Sequence, residues 1–173
     1  MKLFIDSSQS IFIAALIDNN KVIFSSKIET KYKVEEIIQF FDRVPNLHNI
    51  HHIYINLGPG SFTGARIALL YIRTLAQLNH KIQVYTSNTY LLLSILNKKL
   101  LKRQFFIYAT KNKSYLLTKK LIKVVNKRNK ESQINYDLLL SNFDKYSDAF
   151  ILSSLESLQP IYASQPQIGE IKQ

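Results

Sequence analysis

Two hydrophobic periods alternate along this 173-residue chain. KLFID (2–6) is an apolar run ending in a carboxylate, IFIAALID (11–18) is a second, and KVIFSSKI (21–28) follows an Asp-Asn-Asn turn. Three β-rich runs so closely spaced, with turn residues between them, predict an antiparallel meander. VEEIIQFFDRV (34–44) then places apolar residues at 34, 37, 38, 41 and 44, which is helical spacing. HHIYINL (51–57) predicts a strand, and NLGPGSFTGARIALLYIRTLAQLN (56–79) a loop running into a helix from about Phe62 to Asn79. IQVYT (82–86) predicts a strand and NTYLLLSILNKK (88–99) a helix with Asn88 as its N-cap. The order βββαβαβα defines an α/β fold whose antiparallel lead-in passes into parallel strands.

The pattern weakens after residue 100. QFFIYAT (104–110) and SYLLTKKLIKVV (114–125) read as two strands joined by KNK. A polar link, NKRNKESQ, precedes a short helix at NYDLLLSNF (135–143), and AFILSS (149–154) is a further strand. We therefore expect an N-terminal domain over residues 1–99 and a reduced, β-rich C-terminal subdomain over 100–173.

Charge changes this picture more than composition does. At 46% hydrophobic and 20% charged residues the chain is able to bury an ordinary core. It has no cysteine, which excludes disulfides, thiolate metal sites and thiol nucleophiles. No run of 18 apolar residues and no signal-peptide pattern occurs, so the expectation is a cytoplasmic protein without a membrane span. The net charge is +11, and of the 23 basic residues twelve fall between 98 and 130, a stretch without Asp or Glu. The remaining eleven face all 12 acidic residues. A block of this kind attracts polyanions by counterion release, and composition drift toward lysine is the alternative. The candidate nucleic-acid contacts are Lys98, Lys99, Lys102, Arg103, Lys119, Lys120, Lys123, Lys127, Arg128 and Lys130.

Three of the four glycines, Gly58, Gly60 and Gly64, lie within seven positions. Their spacing, G-x-G-x-x-x-G, is not a dinucleotide fingerprint. No lysine follows as a P-loop requires, and Ser61 lacks the flanking glycines of a nucleophile elbow. The simple reading is a strand-to-helix turn stiffened by Pro59 and capped by Ser61. The helix beyond it has two apolar stripes: Ala65, Ala68, Leu69, Ile72 and Ala76 on one side, and Ile67, Leu70, Thr74 and Leu78 nearly opposite. One sheet covers one face, so the second face implies a protein partner. The small side chains of the first stripe suit the close approach of another helix. Val34, Ile37, Ile38 and Phe41 give the preceding helix an apolar arc of its own.

Asp6-Ser7-Ser8 follows the first strand, where a carboxylate and two hydroxyls suit a metal–phosphate group. The turn is similar to the first phosphate loop of actin-like ATPases, but no Asp-Gly or Asp-x-Gly supplies a second loop. A ribonuclease-H-type two-metal cluster would need a carboxylate where Asn56 stands. His48, His51 and His52 include an H-x-x-x-H pair, but it precedes a strand and reads as loop histidines.

Gly58-Pro59-Gly60-Ser61-Phe62-Thr63-Gly64, continued through Arg66, closely resembles the G-P-G-S-F-T-G-hydrophobic-R signature of the TsaB (YeaZ) family. LFIDSSQSIFIAAL resembles the family's first strand, its "DTS" turn with Ser7 in place of threonine, and its second strand. PIYASQPQ resembles the Pro-x-Tyr tail, with Tyr162 in place. Ala65 and Ala68 depart from the usual Leu or Val and Gly. IYATKNKSY lacks the Asp-Ala-Arg often found ahead of a tyrosine, though Tyr115 is retained. The chain is also shorter than usual in its second half.

The resemblance implies an actin-like, ribonuclease-H-like (ASKHA) βββαβα core with a mixed sheet and a truncated second half. It implies a scaffold rather than a catalyst. The family's partner TsaD transfers threonylcarbamoyl to N6 of adenosine 37 of tRNA, and the ATPase TsaE completes the cycle. ATP and metal are then expected in the partner subunits and no cofactor in this one. Family pairing uses the first two helices, so the expected interface is Val34, Ile37, Ile38, Phe41, Ala65, Ala68, Leu69, Ile72 and Ala76. Asp6, Ser7 and Ser8 become a vestigial phosphate loop, and the basic block a candidate tRNA contact. Two other readings stay open: a stand-alone ASKHA-type kinase or peptidase-like enzyme, and a homodimeric RNA-binding module using the same helix face.

Overall fold

The computed structural model describes residues 1–97 and 104–162. A six-stranded mixed sheet divides it into layers, in the order β3-β2-β1-β4-β5-β9. β1 (Lys2–Asp6), β2 (Ile11–Asp18) and β3 (Lys21–Glu29) form the antiparallel meander. β4 (His52–Asn56) pairs parallel with β1, and β5 (Gln83–Ser87) parallel with β4. The antiparallel-to-parallel order read from the sequence is the order observed.

Both faces of β1 and β4 are buried, so these strands are continuous apolar runs rather than alternating ones. Leu3, Ile5, Ile53 and Ile55 point to one core, which α1 (Lys33–Arg43) and α2 (Phe62–Leu78) cover. Phe4, Ile13 and Tyr54 point to a second core. That core is closed by α3 (Thr89–Leu96), by the strands β6 (Phe105–Thr110), β7 (Lys113–Leu117) and β8 (Ile122–Asn126), and by α4 (Tyr136–Ser141) and α5 (Phe143–Ser147). Ring packing marks the closure: Phe143 meets Tyr54 edge-on at 4.9 Å and Phe4 at 6.0 Å.

Local chemistry sets the helix starts. Ser61 Oγ accepts from the Gly64 amide at 3.3 Å and Asn88 Oδ1 from the Leu91 amide at 2.8 Å, satisfying amides that have no partner within the helix. α1 has no side-chain cap but carries Glu35 and Glu36 in its first turn and Arg43 in its last, matching the helix dipole.

One sequence expectation is corrected. SYLLTKKLIKVV is a hairpin rather than one strand. Thr118 closes the turn, its amide donating to the Leu121 carbonyl at 2.9 Å and its hydroxyl accepting from the Leu121 amide at 3.0 Å. The turn contains none of the Gly, Asn or Pro residues that announce one. Elements from the second half of the chain also pack with the main sheet. β9 (Ile151–Ser153) pairs antiparallel with β5 inside the main sheet, and α4 and α5 fill the core beneath β1 and β4.

The stripes of α2 take opposite roles from those expected. Ala65, Ala68, Leu69, Ile72 and Ala76 are all buried in this chain's own core, where small side chains let the helix settle close to the sheet. Ile37 and Phe41 of α1 are buried with them, Phe41 stacked on Tyr71 at 4.5 Å. The outward side carries Leu70 at 65% exposure and Leu78 at 79%, with Val34 and Ile38 exposed on α1. Ala68→Glu is therefore expected to unfold the chain, because it buries an unpaired charge. Leu70→Glu is expected to leave stability within about 0.5 kcal/mol of wild type. Urea denaturation followed by circular dichroism separates the two outcomes.

Candidate functional site

The Asp6-Ser7-Ser8 turn and the glycine loop are two halves of one structure. β1 and β4 run parallel and adjacent, so the turn that leaves β1 faces the loop that leaves β4. The Ser61 amide donates to the Ser8 carbonyl at 2.5 Å. A Cβ at Gly60 would stand 1.9 Å from the Ser8 carbonyl oxygen, and one at Gly64 1.9 Å from that of Ser7. Backbone meets backbone here and no side chain fits between. Gly58 has a φ of +96°, a conformation that other L residues resist. The glycines thus seal the loop onto the turn instead of opening a cradle.

Asp6 lies at the centre, with no solvent exposure. Its Oδ1 accepts from the Ser8 amide at 2.8 Å and the Ser8 hydroxyl at 2.7 Å. Its Oδ2 accepts from Asn56 Nδ2 and from the Tyr136 hydroxyl, both at 2.7 Å. Asn56 also reaches Ser8 Oγ and Thr89 Oγ1 at 3.1 Å, and its Oδ1 receives the Gly58 amide at 3.1 Å. Thr89 donates to the Pro59 carbonyl at 2.9 Å, and Gln9 bridges Ser8, Pro59 and Thr89. Four donors thus occupy the carboxylate on which a metal–phosphate group would have to rest. Ser7 and Ser8 are equally inaccessible, and the Ser7 hydroxyl is buried without a partner among the described residues.

Burial raises the Asp6 pKa above its ordinary value, although the bonds from Asn56, Ser8 and Tyr136 oppose the rise. The same burial, together with the Asp6 charge, pushes the Tyr136 hydroxyl well above its usual range. Lys33, at the start of α1, donates to the Ser10 carbonyl at 2.6 Å. Burial lowers its pKa to about 8, while the negative charge of Asp6 works against that shift.

The glycine loop and the chain around Tyr162 meet at the start of α2. Tyr162 packs on Phe62 with ring centroids 4.8 Å apart, and the Arg66 guanidinium lies 4.9 Å from the Phe62 ring centre. The Ile161 amide donates to the Leu57 carbonyl at 2.8 Å. Arg73 holds the same segment, donating to the carbonyls of Leu155 and Leu158. Thr63 is exposed at the first turn. His48 sits in the short turn Leu47–Asn49, and His52 opens β4 edge-on to Tyr85. No group of three metal-ligating side chains forms among the described residues.

Of the basic block, Lys119, Lys120, Lys123, Lys127, Arg128 and Lys130 are all exposed on or beside the β6–β8 sheet. Lys98, Lys99, Lys102 and Arg103 lie outside the described residues. Sequence reasoning missed Tyr136, Thr89, Gln9 and Lys33, and it noted Asn56 only for not being a carboxylate. Tyr136 carried no signal, since its partner is 130 positions away.

No family model matches the sequence, and no curated protein matches it. Solved structures do match by fold. One is YeaZ from Pseudomonas aeruginosa, with a TM-score of 0.63 and 15% identity, the match covering 93% of this chain and 98% of that one. Another, also from Pseudomonas aeruginosa, is described as an uncharacterized protein with similarity to peptidase YeaZ. Its TM-score is 0.67 at 15% identity, over 94% of this chain and 99% of that one. The class that fold and site define is an α/β protein with the mixed-sheet architecture of YeaZ. The likeness runs through the second half of the chain as well as the first.

Gly64→Ala is expected to cost about 2 kcal/mol or more, because a backbone oxygen must give way; the denaturation midpoint checks this. Asp6 makes a pH prediction. Its folded pKa is raised, so the folded state holds the proton more tightly than the unfolded chain. Its contribution to stability is greatest below about pH 4, where both states are protonated, and falls as pH rises to the raised value. Asp6→Asn removes this dependence. The stability of the variant relative to wild type is thus expected to rise between pH 4 and pH 8, measured by denaturant titration at each pH.

Proposed function

We propose that this chain is a non-catalytic TsaB-like scaffold subunit. In this reading it pairs with TsaD and stabilises it during threonylcarbamoyl transfer to N6 of adenosine 37 of tRNA, with TsaE completing the cycle. The observation that carries the reading is the outer apolar side of the α1/α2 layer, where Val34, Ile38, Leu70 and Leu78 stand exposed. The YeaZ-like fold and the GPGSFTG motif beside that layer support it. A fully buried leucine-sized side chain contributes about 1.5–3 kcal/mol, so a few of these residues suffice to hold a partner.

The sealed loop supports the non-catalytic part. Asp6 is already bonded by four donors, and the Ser61 hydroxyl already caps α2. ATP and metal belong to the partner subunits in this reading, and the work is done in the cytoplasm. The inner stripe of α2 forms no part of the proposed interface. The outward residues Leu70, Thr74 and Leu78 take its place, together with Val34 and Ile38, while Ile67 is half-buried against the core.

Co-expression with the cognate TsaD followed by size-exclusion chromatography tests the pairing. Wild type is expected to co-elute with TsaD, and the Ile38→Glu, Leu70→Glu double variant to elute alone while keeping a wild-type circular dichroism spectrum. Co-elution of the double variant would remove the helix layer from the interface. The isolated chain is expected to show no ATP hydrolysis, and steady turnover without partners would favour a stand-alone enzyme.

A further inference from the structure

The three-stranded sheet β6-β7-β8 has one face in the core and one outside. Phe105, Ile107 and Leu117 point inward and are buried. Their neighbours point outward, and the register sets Phe106, Leu116 and Lys123 side by side in one row across the three strands. Beyond β8 the chain turns back over this outer face. The Lys127 amide donates to the Asn112 carbonyl at 3.0 Å and the Arg128 amide to Ser114 Oγ at 3.1 Å. The Ser132 amide then reaches the Phe106 carbonyl on the far edge at 2.5 Å. Residues 127–132 form a strap that leaves β8 and is fixed at the β6–β7 turn, on the central strand β7 and on the β6 edge, and the strap carries Lys127, Arg128 and Lys130.

This strap gives the charge block a shape. Arg128 lies over the Phe106 ring at 5.1 Å, Tyr108 is 53% exposed, and Lys119 projects from the Thr118–Leu121 turn. The ion pairs formed among the described residues are Lys2 with Asp144 and Lys27 with Asp137, and neither uses a basic residue of this region. Among the described residues the strap itself carries one carboxylate, the half-buried Glu131. The positive charge here is therefore carried on hydrogen-bonded backbone and offered to solvent, beside an exposed aromatic ring.

We infer that the strapped outer face of the β6–β8 sheet is an RNA-binding surface, with the lysines on phosphates and Tyr108 against a base or ribose. Charge complementarity selects a polyanion, and a flat ring among cations suits a nucleic acid, whose bases stack on aromatic side chains. The choice of RNA among polyanions rests on the proposed role in tRNA modification. The surface lies on the opposite side of the main sheet from α1 and α2, so one chain has room for RNA and a protein partner together.

Fluorescence anisotropy of the full chain with an unmodified tRNA transcript, from about 50 to 200 mM salt, tests this. The Lys119→Gln, Lys123→Gln, Lys127→Gln, Lys130→Gln variant is expected to bind at least about tenfold more weakly at 50 mM. Its slope of log K against log salt should be shallower by about 3, at about 0.7–0.9 for each lost contact. A control variant, Lys21→Gln, Lys31→Gln, Lys81→Gln, removes exposed lysines elsewhere and is expected to stay within about twofold of wild type. Tyr108→Ala is expected to weaken binding at least about fivefold without changing the slope. Equal losses from the two lysine sets, or no loss from the first, would overturn the inference. So would displacement of the RNA by polyglutamate at matched charge concentration, since the surface would then be one for acidic polypeptides. The chain is measured alone, so failure to pair with TsaD leaves this result standing and counts against the scaffold reading only.

Discussion

A carboxylate shut away from water must find its donors within the chain, and Asp6 finds four. Those donors come from the turn after β1, from the end of β4 and from the first residue of α4, elements that share no local sequence. An unpaired buried charge would cost several kcal/mol, so each donor is held in place by the need of the others. Asn56 links the carboxylate to Thr89 and to the Gly58 amide, and through them to the start of α3 and the glycine loop. One polar knot thereby fixes where α2, α3 and α4 begin.

The consequences reach the surface. With Gly60 and Gly64 pressed against the Ser7 and Ser8 carbonyls, α2 starts from a rigid base and lays its small-residue stripe on the sheet. Its other apolar stripe is then left facing solvent beside α1. On the far side of the sheet, Tyr136 anchors α4 beneath β1, and the β6–β8 sheet with its basic strap closes the same core. The apolar layer and the cationic layer are opposite outer surfaces of one molecule. That arrangement suits a subunit that holds other molecules together better than one that binds nucleotide in its own phosphate loop.

Much of this was legible in the sequence. The βββαβαβα order follows from apolar runs and helical spacing, and Ser61 and Asn88 announce their caps by residue type. The two faces of α2 were also legible, but not which of them faces inward. Periodicity reports that a stripe is apolar, whereas the choice of side depends on how closely the sheet approaches, and Ala65, Ala68 and Ala76 answer that only once β1 and β4 are in place. The KK turn between β7 and β8 was hidden because a threonine hydroxyl does the work expected of glycine or asparagine. The Asp6 knot was hidden for a different reason: a side-chain bond between residues 6 and 136 leaves no local pattern.

The central claim is that the outward side of α1 and α2 is a pairing surface while the sealed loop is structural. Hydrogen–deuterium exchange of the chain with and without TsaD tests both parts in one measurement. Slower exchange is predicted in peptides spanning 33–43 and 62–78 when TsaD is added, and no change at residues 5–9 when ATP and magnesium are added to the chain alone. Unchanged exchange in both helices on adding TsaD, or protection of residues 5–9 by nucleotide, would contradict the account.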